Sequence, residues 1–140
     1  MKFYLPAEAP TLVPLPLLKF KFPAGFPSPA ADYMEEDIDL RKYLQPNTTS
    51  IYLARVQGNS MDSEIPDRSI IVIDKSLKVT NNDIVVATLN GEKVVKRFVR
   101  THAGTFLSPS NPNYKPILIT EEMDFAIWGV VTHVIVKLTK

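Results

Sequence analysis

The stretch DIVVATLNGEKVVKRFVR (residues 83–100) decides the fold of this chain. Branched apolar residues dominate both of its halves, 83–89 and 92–100, and such residues are typical of β-strands. Between the halves stands the pair Asn90-Gly91, which favours a type I′ turn because both residues tolerate positive φ angles. The stretch therefore predicts two antiparallel strands joined by a tight hairpin.

Similar strand signals flank this hairpin on both sides. Short segments rich in β-branched and aromatic residues, separated by turn residues, predict four further strands, at 50–56, 69–74, 115–120 and 125–138. A short helix is predicted over 37–46, with Asp37 as its N-cap and Pro46 at its end. We therefore expect a mainly β protein, with a compact β-rich domain and one short helix.

The first thirty residues have a different composition, because they hold seven of the twelve prolines. Proline fixes φ and removes a hydrogen-bond donor, so this segment is predicted to be an extended arm, in part polyproline-like. Residues such as Leu12, Phe20 and Phe26 make it too apolar for a purely solvated linker. We expect the arm to lie against its own domain or a partner; a disordered tail is the alternative.

Composition excludes several classes of function. The 140 residues suit one domain, and a net charge of +1 gives no general electrostatic attraction to DNA or anionic membranes. The absence of cysteine removes disulfides, thiolate catalysis and Cys-based zinc sites, and two histidines make a His-rich metal site improbable. The proline-broken apolar run near the N-terminus fits neither a signal peptide nor a membrane span. We expect a cytoplasmic protein with no metal or cofactor.

Ser60 is the first candidate for chemistry, in the segment VQGNSMD (56–62). A serine on a turn after a strand can expose its hydroxyl, while the backbone N–H groups of Ser60 and Met61 are candidates for an oxyanion site. Most serines at such positions only form turns, and the second glycine of a nucleophile elbow is missing. Ser60 therefore needs an activating base before it is a convincing nucleophile.

Lys96 is the best candidate for that base. His102 lies in a predicted loop and His133 in an apolar strand, and no motif places a carboxylate beside either, which disfavours a Ser-His-Asp triad. A lysine acts as a base when burial lowers its pKa from roughly 10.4. Strand periodicity puts Lys96 on an apolar face, whereas Arg97 cannot lose its proton. A solvated sheet lysine is the alternative.

Six motifs are spread over nearly the whole chain, and each alone would be weak evidence. They are GFPSPAADY (25–33), IDL (38–40), GNSM (58–61), NDIV (82–85), VKR (95–97) and WGVVTHV (128–134). Taken together and in this order, they resemble the LexA/UmuD family of self-cleaving serine–lysine peptidases.

The resemblance implies a LexA-like peptidase fold and a role for each matching residue. By position, Ser60 matches the nucleophile, Lys96 the general base and Ala24-Gly25 the scissile pair. One departure concerns the turn after the nucleophile loop, where the family commonly has Asp-Gly-Asp and this chain has Asp67-Arg68-Ser69 in a slightly shorter loop. That departure puts the geometry of the turn in question, but not the serine–lysine pair.

The scissile pair also defines the expected domain organisation. A removable N-terminal arm would cover 1–24, a linker with the short helix 25–45, and the β-rich serine–lysine peptidase domain 46–140. No helix-turn-helix domain precedes the scissile pair, which disfavours a LexA-type repressor.

The resemblance further implies a role in the SOS response to DNA damage. Self-cleavage would be stimulated by the RecA–single-stranded-DNA filament, and the processed homodimer would join a UmuC-like translesion DNA polymerase. No membrane partner and no strong direct DNA binding are expected. Two alternatives stay open: a non-catalytic assembly module of a DNA-repair complex with a vestigial serine–lysine dyad, and a signal-peptidase-like enzyme that acts in trans.

Overall fold

The computed structural model describes residues 1–5, 15–18, 34–47 and 49–139. The predicted scissile pair Ala24-Gly25 and most of the predicted arm lie outside these residues. The chain divides into two compact units, one formed by Met1–Pro6 with Thr48–Lys140 and the other by Ala7–Asn47.

Antiparallel β-structure dominates the larger unit, which confirms the mainly β fold. Its strands are β1 (Lys2–Tyr4), β4 (Ile51–Arg55), β5 (Ile70–Asp74), β6 (Ile84–Leu89), β7 (Glu92–Thr101), β8 (Gly104–Ser108), β9 (Ile117–Leu118) and β10 (Phe125–Ile135). Among the described residues they form one eight-stranded sheet in the order β1-β4-β5-β10-β6-β7-β8-β9. Six of these strands were predicted from the sequence, whereas β1 and β8 were not.

The hairpin between β6 and β7 has the predicted geometry. Asn90 and Gly91 adopt φ angles of 50° and 86°, and the flanking Leu89 and Glu92 are directly paired. Both turn residues thus lie in the left-handed region that a type I′ turn requires. This turn fixes the register of β7, and with it the position of Lys96 opposite Val85.

The smaller unit holds a two-stranded sheet and the short helix. Its elements are β2 (Leu15–Leu18), β3 (Met34–Ile38) and α1 (Leu40–Leu44). The prediction of Asp37 as the N-cap is wrong, because Asp37 pairs with Pro16 inside the small sheet. The cap is Asp39, whose carboxylate accepts a hydrogen bond from the Lys42 N–H at 3.2 Å. The N-cap therefore lies two residues later than predicted, and the helix has five residues.

Strand β10 connects the two halves of the large sheet. Its first part pairs with β6 and its second part with β5, and Val130 pairs with both neighbours. The register shifts at Trp128 against β6 and at Thr132 against β5, as in β-bulges. Gly129 lies between these shifts, where an added Cβ atom would stand 2.5 Å from Cγ2 of Ile73.

Two clusters of buried apolar side chains form the core of the large unit. The first comprises Ala54, Val56, Met61, Ile65, Ile71, Ile73, Val86 and Val95, and the second comprises Val85, Ala87, Phe98, Leu107 and Val130. Strand β7 contributes Val95 to the first cluster and Phe98 to the second. Lys96 follows Val95 directly and precedes Phe98 by two positions, so it lies between two packed positions of one strand.

Candidate active site

Ser60 lies on the loop that connects β4 with β5. The base of this loop is closed by two hydrogen bonds, from the Val56 N–H to the Ser69 carbonyl and from the Arg68 N–H to the Val56 carbonyl, each 2.9 Å long. Gly58 leaves the strand direction with φ +104°, and its N–H donates to Asp67 Oδ1 at 2.8 Å. The loop therefore has a fixed entry and exit, and Ser60 starts a turn between them.

Buried apolar side chains anchor the turn that follows Ser60. Met61 and Ile65 are 2% and 0% exposed and belong to the first core cluster. The Ile65 N–H donates to the Met61 carbonyl, so the two anchors are also joined through the backbone. Ser60 itself is only partly buried and keeps access to solvent.

Arg68 occupies the turn position at which the family resemblance places glycine. Its φ angle is +70°, so an arginine adopts the left-handed conformation that glycine adopts without strain. Its carbonyl accepts a hydrogen bond from Nη1 of Arg55 at 2.8 Å. The turn thus keeps a glycine-like backbone, at a cost of roughly 1 kcal/mol for the side chain.

Lys96 reaches the Ser60 hydroxyl from β7. Its Nζ lies 2.8 Å from Ser60 Oγ and 3.1 Å from the carbonyl oxygen of Val95, within hydrogen-bond range of both. Burial lowers the pKa of Lys96 below its ordinary value of 10.5, because desolvation disfavours the ammonium form. Neither ion pair formed by the described side chains includes Lys96, so no carboxylate opposes this effect.

The structure therefore brings together the two side chains that the sequence singled out, 36 positions apart. The histidines lie elsewhere: His102 is exposed in the turn between β7 and β8, and His133 is on β10 with Nδ1 2.9 Å from Thr132 Oγ1. The Ser60 hydroxyl bonds to Lys96 and to neither histidine. This arrangement leaves the lysine as the base candidate in contact with the serine.

Asn111 is a site residue that the sequence did not reveal. This side chain is 8% exposed, and its Nδ2 donates to the Asn59 carbonyl at 3.0 Å. Its N–H donates to the Ser60 carbonyl, also at 3.0 Å, so one residue holds the peptide bonds before and after Ser60. The only sequence signal here is the turn-rich segment SPSNP (108–112), which indicates a loop and not a support for Ser60.

A second contact joins β7 to the far end of the turn that begins at Ser60. The guanidinium of Arg97 forms an ion pair with Glu64, and it also donates to the carbonyl of Asn82. Lys96 and Arg97, adjacent in sequence, thus contact the same turn at Ser60 and at Glu64. The contacts link the position of β7 to the position of the serine.

A small cavity of about 130 Å³ lies beside the serine and the lysine. Its lining combines apolar side chains, the loop that carries Ser60, and Met1. The lining residues are Met1, Val56, Gln57, Gly58, Ser60, Met61, Lys93, Val94, Val95 and Lys96.

The backbone N–H groups of Ser60 and Met61 donate to no acceptor within the described part of the chain. A group bound beside Ser60 would therefore not have to displace another acceptor from these two N–H groups. Among the described residues, no cluster of three or more His, Asp or Glu side chains could hold a metal ion. Nor does any helix of the described chain have the length and apolar character to cross a membrane.

Comparisons with known proteins give the family of the chain. Residues 16–132 match the family described as Peptidase S24-like. Protein SamA of Salmonella typhimurium is 40% identical over 133 residues, covering 94% of this chain and 92% of SamA. Protein MucA of Escherichia coli is 34% identical, covering 88% of this chain and 85% of MucA. The LexA repressor of Delftia acidovorans is 36% identical, covering 95% of this chain and 59% of the repressor.

Proposed function

Because the chain belongs to the Peptidase S24-like family, as a UmuD-like member of the LexA/UmuD group, we propose that it is a self-cleaving serine peptidase of SOS mutagenesis. The observation that carries this proposal is the 2.8 Å contact between Lys96 Nζ and Ser60 Oγ. A lysine whose pKa is lowered by burial, in contact with a serine on an anchored turn, has the properties that a nucleophile–base pair needs.

In the proposed reaction, neutral Lys96 accepts the hydroxyl proton of Ser60 as Oγ attacks the carbonyl carbon of Ala24. The N–H groups of Ser60 and Met61 would donate to the oxyanion that forms. Lys96 then returns the proton to the amine of Gly25, which leaves as a new N-terminus. Water, deprotonated by the same lysine, hydrolyses the Ser60 ester and releases residues 1–24 from residues 25–140.

The sequence around Ala24-Gly25 suits such a substrate. Ala24 has only a methyl side chain and Gly25 has none, so their backbone can approach a cavity of only about 130 Å³. Pro23 and Pro27 disfavour a helix and favour an extended conformation of such a segment. Because substrate and enzyme share either one chain or one dimer, positioning takes the place of intermolecular affinity.

The family resemblance supplies the biological setting of the proposal. Cleavage would be stimulated by the RecA–single-stranded-DNA filament, in the cytoplasm, after DNA damage. The processed homodimer would then serve as a subunit of a UmuC-like translesion polymerase. In this scheme the apolar arm covers partner-binding surfaces until it is removed.

Mass spectrometry of the purified chain tests the proposal. Incubation at alkaline pH, or with an activated RecA filament, should yield fragments 1–24 and 25–140. Ser60→Ala and Lys96→Ala should each reduce the cleavage rate at least 100-fold. Ser63→Ala, in the same turn, and Lys78→Ala, on an exposed lysine, are matched controls that should cleave normally.

Cleavage that persists in Ser60→Ala would exclude Ser60 as the nucleophile. A chain that stays intact under both conditions would instead favour the non-catalytic assembly module.

A further inference from the structure

Strand β1 covers the edge of the large sheet. Its three residues pair antiparallel with β4, with Lys2 opposite Arg55, Phe3 opposite Ala54 and Tyr4 opposite Leu53. On its other side β4 pairs with β5. Removal of β1 would therefore expose the backbone N–H and C=O groups along one edge of β4, and such an edge readily pairs with another extended segment.

Phe3 is the aromatic anchor of this strand. Its ring centroid lies 4.7 Å from that of Trp128, and Trp128 lies 5.1 Å from Tyr52. All three rings pack against the first core cluster. We call the surface that β1 covers, formed by one edge of β4 with Tyr52 and Trp128, the Phe3 groove.

Two exposed lysines border the Phe3 groove. Lys75 Nζ lies 4.6 Å from the Trp128 ring centroid, and Lys93 Nζ lies 5.6 Å from the Phe3 ring centroid. An open cavity of about 480 Å³, lined by Met1, Phe3, Gly91, Glu92 and Lys93, lies beside the anchor. The border of the groove therefore carries two lysines and one carboxylate, Glu92, beside an open space next to Phe3.

The resident strand matches this groove incompletely. Lys2 stands directly opposite Arg55, and like charges at directly paired positions destabilise an antiparallel pair. Tyr4 is 45% exposed and Leu5 73% exposed, so Phe3 and Met1 provide the apolar contacts of the segment. β1 stays in place because it belongs to the same chain, which gives a short tethered segment an effective concentration of about millimolar.

We propose that the Phe3 groove is a docking site for an extended segment of another protein, and that self-cleavage opens it. The segment would carry an aromatic side chain at the position of Phe3 and an acidic residue at the position of Lys2, opposite Arg55. The opening step rests on the proposed function, because cleavage at Ala24-Gly25 turns a tethered strand into a separate peptide. Among the described residues, fragment 1–24 then keeps only two short strand pairings, β1 with β4 and β2 with β3. At micromolar protein the effective concentration of the fragment falls about a thousandfold, and we expect both pairings to be lost.

Trp128 is the single tryptophan of the chain and reports directly on the groove. The first test uses the uncut full-length chain carrying Ser60→Ala and Phe3→Ala, in which the anchor is absent. A peptide of residues 1–8 carrying Lys2→Glu should bind it and shift the Trp128 emission. The same peptide with Phe3→Ala added, and the wild-type peptide with Lys2, should each bind at least fivefold more weakly.

The parent chain with Ser60→Ala alone is the matched control. Its own Phe3 occupies the groove, so the Lys2→Glu peptide should bind it at least tenfold more weakly. No binding to the vacated chain would overturn the proposal. Equal binding of the wild-type and Lys2→Glu peptides would also overturn it, and would point to the N-terminal strand of a second copy as the occupant.

The second test separates opening from cleavage in the wild-type chain. Mass spectrometry measures the cut, and Trp128 emission measures loss of the Phe3 contact in the same sample. A cut chain with unchanged emission would overturn the opening step and leave the peptidase proposal standing. A chain that is never cut would contradict the peptidase proposal, while the peptide titration would still decide whether the groove binds.

Discussion

Lys96 has the position and environment of a base. Its Nζ contacts Ser60 Oγ, no carboxylate among the described residues pairs with it, and burial lowers its pKa. The same burial that destabilises the ammonium ion makes the neutral amine available at a lower pH. A requirement for neutral Lys96 should therefore be visible in the pH dependence of the reaction.

We predict that the rate of self-cleavage rises with pH. Below the pKa of Lys96 the neutral fraction increases tenfold per pH unit, so the rate should follow that slope. The rate should then level off at a pH below the ordinary lysine value of 10.5. Single-turnover cleavage followed by mass spectrometry from pH 6 to 11 measures this profile, with Lys78→Ala as the unchanged control. A flat profile, or a rate that falls with pH, would contradict a lysine base.

Arg68 offers a second prediction at the scale of one residue. Arg68→Gly should raise the free energy of unfolding by up to about 1 kcal/mol, because glycine relieves the strain at φ +70° but also gains entropy in the unfolded chain. Arg68→Ala keeps the Cβ atom and hence the strain, so it should not stabilise the protein. Urea unfolding of both variants distinguishes backbone strain from loss of the arginine side chain.

Short sequence signals predicted some elements better than others. The hairpin was predictable because Asn90-Gly91 specifies its turn locally, and both residues have the required positive φ angles. β8 begins at Gly104 and has little branched apolar character, so its strand conformation depends on pairing with β7. The three residues of β1 likewise depend on the edge of β4 and the ring of Trp128. Such tertiary partners leave no local signal.

The residues of the candidate site also differ in whether a local sequence signal or a tertiary contact identifies them. Ser60 and Lys96 were predictable because turn position, strand alternation and the family resemblance all act through the sequence. Asn111 was not predictable, because it supports Ser60 through contacts between two loops. Asn111 is 51 positions from Ser60 and 52 positions from Asn59 in sequence. The sequence predicted the candidate pair Ser60 and Lys96, and only the structure revealed which contacts hold these side chains in place.

Strand β10 depends on the close approach that Gly129 allows. We predict that Gly129→Ala lowers the free energy of unfolding by about 1–3 kcal/mol, since its Cβ would stand 2.5 Å from Cγ2 of the fully buried Ile73. Urea unfolding followed by circular dichroism measures this cost. In an Ile73→Ala background the cost of the same change should become smaller, and an equal cost in both backgrounds would exclude this contact as its cause.

For the whole molecule, Lys96 links stability to pH. Its pKa is lower in the folded than in the unfolded chain, so between these two values the unfolded chain binds more protons and stability increases with pH. The destabilisation is full below the folded pKa and is relieved as the pH rises through it toward 10.5. The burial of Lys96 therefore reduces the stability of the fold at neutral pH.

We predict that Lys96→Met, compared in a Ser60→Ala background that prevents cleavage, raises the thermal unfolding midpoint at pH 7. This advantage should shrink as the pH approaches 10, because the lysine-containing chain becomes neutral at that position. Thermal unfolding by circular dichroism at several pH values measures the difference. A constant difference at all pH values would show that packing, and not charge, separates the two variants.

The central position of β10 also sets a time at which the site can assemble. Ser60 lies on the β4–β5 side of the sheet and Lys96 on β7 of the β6 side, and β10 pairs with both sides. The ribosome makes β10 after the arm, the serine and the lysine, so a nascent chain carries all three before it has the strand that joins them. Under the proposed function, proteolytic competence would therefore be acquired late in synthesis, and the arm would be protected from its own enzyme during translation.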